Sequence, residues 1–433
     1  MSSNKEIIRL AIPNIVSNIS VPLISSVDTA LMGHLSITHL AAVGIGSMVF
    51  NFLYWNFGFL RMGTTGMTAQ DFGRNDDAAI ARNLYHAILL SLTIGCLIVL
   101  IKSPFSSLSA YLMQIDPSQI DLFAAYFDIR IWAAPVTLSL IACMGWLFGM
   151  QNAIYPLVIT LVINTANIIF SSYFVLSMDM GIKGVAYGTV LSQSIGLLLA
   201  LALIFYKYRS IVNHIAREYQ IRWEKLLRFL SINGDLFIRT FCLTLVFAFI
   251  YSQSSAYGVE VLAINTILLQ FLNWMSFGVD GFAYAAESLV GKYKGKESEQ
   301  GMMRTIRLSM VWGMGLALCY SIIYYLFDQP LIQLFSNDQQ VTTKTMTFFL
   351  WIVITPLLAT PSYIWDGIFV GLTAVKAMRN TMIVSMGLFF MVYYTSIVYF
   401  EPIDTLWMSL LVFLMARGII QWIFFKKWGT DIT

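Results

Sequence analysis

Twelve apolar runs, each near the twenty residues a helix needs to cross roughly 30 Å of hydrocarbon, leave this chain few folds to adopt. They lie at 7–33, 38–69, 84–108, 120–148, 154–177, 184–206, 228–255, 261–290, 304–327, 345–371, 379–400 and 404–426. Several exceed the minimum, so they are expected to tilt or to extend past the bilayer. Only 11% of the 433 residues are charged and mean hydropathy is +0.73, whereas soluble chains carry about 25% charged residues. The fold class that follows is an all-α integral membrane protein. Nucleic acid is excluded as a partner by a net charge of only +3, dispersed along the chain. Cys96, Cys143, Cys242 and Cys319 stand far apart in apolar runs, a pattern of core packing rather than of a metal or disulfide framework. The first run lacks the short apolar core and small-residue cleavage site of a signal peptide and is expected to be retained.

Lys and Arg set the orientation. Loops on the side of the N-terminus, with both tails, hold roughly nineteen of the 26, including Lys207, Arg209, Arg217, Arg222, Lys225, Arg228, Lys292, Lys294, Lys296, Arg304 and Arg307. The opposite loops hold Lys102, Lys183 and Lys344, so both termini are expected in the cytoplasm. Sliding the chain against itself by about 222 positions aligns Leu40-Ala41 with Leu262-Ala263, Gly73 with Gly295, Arg82 with Arg304 and Gly149 with Gly371. Two copies with an even number of spans start on the same face and are related by an axis along the membrane normal. The expected organisation is an N-terminal six-helix lobe at 1–206, a cytoplasmic linker at 207–228 and a C-terminal six-helix lobe at 229–433. Basic residues interspersed with apolar ones suit the linker to lie at an anionic membrane surface.

One carboxylate, Asp28, interrupts the first run. A charge deep in hydrocarbon costs at least about 2.5 kcal/mol, so such a group normally faces a protein-lined space on an ion or substrate path. Pro13 and Pro22 share its helix, and each removes a backbone hydrogen bond and loosens the rod. In the fifth run Asn164, Asn167 and Ser171 fall on one face. Asp28, Asn167 and Ser171 belong to the outer half of the bilayer, with Thr189 of the sixth run at similar depth. A carboxylate, carboxamides and hydroxyls can carry a proton relay or a small hard cation; as helix glue alone, intramembrane Asn and Thr contribute about 0.6 kcal/mol each.

Other buried charges read as structural. Asp235 and Arg239, one turn apart, are expected to neutralise each other. Arg61, Glu287, Asp366 and Arg417 fall toward the cytoplasmic half of their helices, where pairs between helices could latch that end; Asp280 lies two turns before Glu287. Abundant Met and aromatic residues permit a promiscuous apolar cavity. The four histidines show no ligand spacing and no phosphate-binding Gly-rich loop is present, so an enzyme or an ATP-driven pump is not expected, and energy must come from an ion gradient.

The stretches Ser-Val-Asp-Thr-Ala-Leu-Met-Gly (26–33), Phe-Leu-Arg-Met-Gly-Thr-Thr-Gly (59–66), Val-Asp-Gly-Phe-Ala-Tyr-Ala-Ala-Glu (279–287) and Trp-Asp-Gly-Ile-Phe-Val-Gly (365–371) resemble the DinF branch of the multidrug and toxic compound extrusion (MATE) transporters. The resemblance implies a secondary antiporter of two six-helix bundles in the inner membrane that exports amphipathic or cationic compounds against protons or sodium. It makes Asp28 the coupling carboxylate, matches Pro13 to the helix bend of relatives, and matches Asn167 and Thr189 to their partners. Relatives with a sodium site in the first lobe carry a second aspartate where this chain has Ser171. Losing that charge weakens a cation site more than a proton site, because a lone carboxylate can neutralise itself by protonation. Proton-coupled multidrug efflux by a single chain, with no bound cofactor, is therefore expected, with lipids and small organic substrates as its partners. The alternatives are sodium coupling, with a weak site near Asp28, or a lipid or lipid-linked-glycan flippase.

Overall fold

A computed structural model describes residues 4–33, 37–113, 115–217, 223–335 and 338–429, with side chains described throughout these except at 21–33, 37, 38, 40, 118, 215–217, 223 and 428. Among the described residues the chain is helical and has no strand. Contacts divide it into two compact units, Val16–Phe229 and Met1–Ile15 with Leu230–Thr433, referred to as the N-terminal and C-terminal lobes. Residues 4–15, expected in the N-terminal lobe, pack in the C-terminal one.

The first helix, α1 (Asn4–Gly33), belongs to both lobes. The N-terminal lobe continues with α2 (Ile37–Asn56), α3 (Phe59–Arg74), α4 (Asp77–Leu100), α5 (Lys102–Leu112), α6 (Ile120–Arg130), α7 (Ala134–Gly149), α8 (Ile154–Ser172), α9 (Gly181–Lys207) and α10 (Arg209–Arg217). The C-terminal lobe holds α11 (Trp223–Ala256, mostly), α12 (Val259–Gly295), α13 (Glu299–Leu326), α14 (Asp328–Gln333), α15 (Gln339–Phe348), α16 (Leu350–Gly371), α17 (Val375–Ser396) and α18 (Pro402–Trp428). Eleven stretches among the described residues are long and apolar enough to cross a membrane. With thirty residues, and a rise of about 1.5 Å per residue, α1 is also long enough to cross a bilayer.

Some of the expected runs are broken. The run at 38–69 becomes α2 and α3, separated at Phe57–Gly58. The run at 120–148 bends through a 3-10 turn at Ile131–Ala133, next to Pro135, whose missing N–H weakens the helix there. The linker differs from expectation more substantially. Ile211 and Val212 of α10 are buried with Ile80, Leu84, Trp146 and Ile204, so the apolar face of α10 covers the N-terminal lobe rather than meeting lipid. Lys207 adds a cation–ring contact 5.0 Å from Tyr155.

The repeat is visible in the local geometry of each lobe. Asn75 and Glu297, 222 positions apart, both adopt left-handed backbone after a helix, as do Gln151 and Thr373. At the next position Asp76 accepts from the Ala79 amide at 2.9 Å and Ser298 from the Gly301 amide at 3.3 Å, equivalent N-caps. Close helix packing repeats in the same register. A Cβ at Gly145 would lie 2.5 Å from the Arg61 carbonyl oxygen, and one at Gly367 would lie 2.2 Å from that of Ala283. One turn on, Gly149 faces the Thr65 carbonyl at 3.0 Å and Gly371 that of Glu287 at 2.5 Å. Glycine at these four positions lets α7 lie against α3 and α16 against α12.

Candidate functional site

In the N-terminal lobe, α8 turns a polar stripe toward α1 and α9. The Ser17 hydroxyl of α1 donates to Thr160 Oγ1 at 3.0 Å, and one turn further the Asn164 amide donates to the Ser20 backbone carbonyl at 3.1 Å. The Ser20 hydroxyl turns back to the Ser17 carbonyl at 2.7 Å. On the α9 side, the Asn167 amide donates to Thr189 Oγ1 at 3.2 Å, while the Thr189 hydroxyl donates to the Val185 carbonyl at 3.0 Å. Asn167 and Ser171 are 1% and 0% exposed. A Cβ at Gly188 would stand 2.4 Å from Ser171 Oγ, so the absence of a side chain there lets α9 close onto α8.

This stripe has spare hydrogen-bonding capacity. Asn164 Oδ1, Asn167 Oδ1 and Ser171 Oγ are buried with no hydrogen-bond partner among the described residues. Buried oxygens of this kind are normally satisfied; three along the eight residues from Asn164 to Ser171 on one helix face form an oxygen-lined strip able to accept from a protonated group or water, or to ligate a small cation. A π-helical turn, Tyr173–Ser177, follows directly, and such turns often sit at functional sites.

The structure brings Asn164, Asn167, Ser171 and Thr189 together. The side chains of Asp28 and Pro22 lie outside the described residues, while Pro13 lies in α1 among them. Ser17, Ser20 and Thr160 were not singled out in the sequence; their signal was polarity at three- and four-residue spacing inside apolar runs.

The charged residues of the C-terminal lobe do not pair as expected. Arg239 turns away from Asp235 and donates to Asp366 Oδ2 on α16, where Arg417 of α18 also donates; Gln421 donates to Asp366 Oδ1 at 2.7 Å. Asp235 instead accepts from Arg379 of α17. The i,i+4 spacing put Asp235 and Arg239 within reach, but facing helices offered each a partner with better geometry. Asp366 and Arg417 do pair, and Arg417 also packs 5.4 Å from the Phe413 ring centre. Arg61 lies 6.0 Å from the Phe148 ring, and Glu287 is buried in α12. A second cationic cluster, less evident in the sequence, has Arg130 donating to the Tyr126 hydroxyl and stacked 5.1 Å over Phe50. Among the described residues no three His, Cys, Asp or Glu converge.

Comparison with known proteins adds the family. The sequence profile described as MatE matches residues 13–173 and again 236–395, starting 223 and ending 222 positions apart, in the register of the repeated turns. DNA damage-inducible protein F of Escherichia coli (strain K12) is 32% identical over 422 residues, covering 96% of this chain and 91% of that protein. The probable multidrug resistance protein NorM of Thermotoga maritima is 25% identical over 357 residues, covering 78% of this chain and 73% of the relative. Crystal structures of MATE in bent and straight conformations superpose with TM-scores of 0.90 and 0.87 at 19% identity, each covering 98% of this chain and 94% and 95% of theirs, a likeness of fold.

Proposed function

The chain belongs to the MatE family of multi-pass membrane transporters, and from that premise we propose that it exports amphipathic or cationic organic compounds across the inner membrane in exchange for protons. It does so as a single chain with both termini in the cytoplasm, driven by the proton gradient and without a bound cofactor. Asp28 is the group that takes the proton.

The observation that carries this reading is the oxygen-lined stripe of α8. Asp28 lies eleven residues beyond Ser17, and Ser171 eleven beyond Thr160. This equal spacing along two helices that already meet at Ser17 and Thr160 supports Asp28 as the group the stripe serves. Ser17, Ser20, Thr160, Asn164, Asn167, Ser171 and Thr189 carry no formal charge, which supports coupling through one carboxylate that cancels its own charge by taking a proton. A sodium ion would lose most of its water for neutral oxygens and a single anion, a poorer exchange. Protonation from outside weakens the hold of Asp28 on its neighbours, bends α1 and narrows the space in the N-terminal lobe, releasing substrate. The flippase reading calls for free cationic groups to hold phosphates. It fits less well, since Arg239 and Arg417 both converge on Asp366.

Proteoliposomes holding the purified protein and a fluorescent organic cation test the coupling. An imposed proton gradient is expected to drive transport with sodium absent, and a sodium gradient at equal pH is expected to drive none. Transport by sodium alone overturns the proton assignment.

A further inference from the structure

Two helices change lobe near their starts, and they do so at equivalent positions. Residues 4–15 of α1 belong to the C-terminal lobe and Val16 onward to the N-terminal one, whereas α11 is divided the opposite way, with Phe229 in the N-terminal lobe and Leu230 onward in the C-terminal one. Ile7 and Phe229 are counterparts in the repeat, 222 positions apart, and are 0% and 1% exposed. The exchange is therefore reciprocal: each leading helix seats its start in the lobe that does not hold its remainder.

The two seats differ in chemistry. That of α1, built by α12 and α13, is polar: Glu6 accepts from Lys292 Nζ at 2.8 Å and from the Tyr293 hydroxyl at 3.0 Å, and Trp312 donates to Asn4 Oδ1 at 3.1 Å. Further along, α12 presents Gly281, where a Cβ would lie 2.9 Å from the Ala11 carbonyl oxygen. The seat of α11 is apolar. Phe229 packs with Ala87 of α4 and Ala142 of α7, and the His86 ring meets it edge-on at 5.9 Å. Position 228, the counterpart of Glu6, is an exposed arginine.

We propose that the exchanged starts of α1 and α11 form a paired gate, which opens only when both leave their seats, and that Glu6 with Lys292 and Tyr293 is its lock. The inference rests on the proposed export and orientation, which put these starts at the cytoplasmic end, where substrate must enter. Because the exchange is reciprocal, the lobes cannot part at this end while either start stays seated, so the two release together. The lock is suited to repeated opening. The Glu6 and Lys292 side chains are 31% and 15% exposed, so water takes over each charge as the pair separates, and such a pair resists only weakly. Gly281 adds close contact without a side chain of its own to interlock. The ion pairs at Asp366 lie at the other extreme: opening them would strand buried charges. They belong to the fixed part of the lobe, and Glu6 to the part that moves.

Full-length protein in proteoliposomes, with its four native cysteines replaced, tests the gate in two ways. Glu6→Cys with Lys292→Cys, bridged by a short bifunctional thiol reagent that reduction removes, is expected to stop exporting a fluorescent organic cation and to resume on reduction. Ala11→Cys and Ala87→Cys, at positions that are 0% exposed, report the two seats through their rates of reaction with N-ethylmaleimide. Both rates are expected to rise several-fold during export. Glu6→Gln is expected to raise both at rest by about two- to fivefold, the range a partly exposed ion pair commands. Reversing the pair, Glu6→Lys with Lys292→Glu, should bring both back toward their resting values, which a general loosening of the fold would not allow. The proposal is overturned if the bridged protein exports at the unbridged rate, if Glu6→Gln leaves the Ala11→Cys rate unchanged, or if that rate rises while the Ala87→Cys rate does not. If the unaltered protein exports no organic cation, the functional reading fails, and the resting rates in Glu6→Gln still decide the gate.

Discussion

Asp366 gathers a cluster of buried charge in the C-terminal lobe. Two guanidiniums and an amide meet its carboxylate, and Arg417 is 2% exposed. Removing the acid strands two buried cations, which costs about 3–5 kcal/mol. Asp366→Asn is therefore expected to lower the thermal unfolding midpoint in detergent clearly. Glu260→Gln breaks a pair with Lys344 whose partners are both over 40% exposed and is expected to change stability by less than about 1 kcal/mol. In the N-terminal lobe, Asn167→Leu should leave unfolding nearly unchanged, because a helix-gluing bond contributes about 0.6 kcal/mol. On the proposed coupling through Asp28, proton-driven export should nevertheless fall at least several-fold. A stability loss without a transport loss would assign Asn167 to packing. These residues were partly legible in the sequence. Polar side chains inside apolar runs announced themselves by cost alone, whereas the partner of each charge did not. Spacing tests a residue against its own helix, and Arg239 and Asp235 were both taken by helices more than a hundred positions away.

At the scale of elements, long apolar runs located the helices but not their interruptions. Hydrophobicity continues through Phe57–Gly58, so nothing in the run from 38 to 69 marked the border between α2 and α3. The linker misled for the opposite reason. Its apolar residues fit a lipid surface and a protein surface equally well, and the fold places Ile211 and Val212 against the N-terminal lobe. Glycine contacts were hinted at by Gly149 and Gly371 falling together in the repeat, and they give a matched prediction. Gly145→Ala and Gly367→Ala each drive a Cβ into a backbone carbonyl that cannot move alone, at a cost of about 1–3 kcal/mol. Gly387, with open space around it in the middle of α17, should accept alanine with a gain of roughly 0.5–1 kcal/mol. Thermal unfolding of the three variants checks the order. Equal effects at Gly145 and Gly387 would contradict the close approach of α7 to α3.

For the whole molecule, the repeat is the most informative property. A faint self-alignment at 222 positions anticipated paired turns, caps and helix contacts in both lobes, because close backbone approach and left-handed turns restrict residue choice more than general apolarity does. The lobes have diverged in chemistry, however. Position 17 is a serine bound to α8, while its counterpart 222 residues later is Arg239, bound to Asp366. One lobe holds its leading helix by neutral hydrogen bonds and the other by ions. The proposed coupling in the N-terminal lobe accords with this contrast, because a single change of charge is large against neutral contacts. The most direct measurement is counterflow of protons and an organic cation in proteoliposomes holding Asp28→Asn beside the unaltered protein. The account predicts that the variant still binds the cation but neither releases protons nor exports when a proton gradient is imposed. Export at the unaltered rate, with protons moving in exchange, would contradict it.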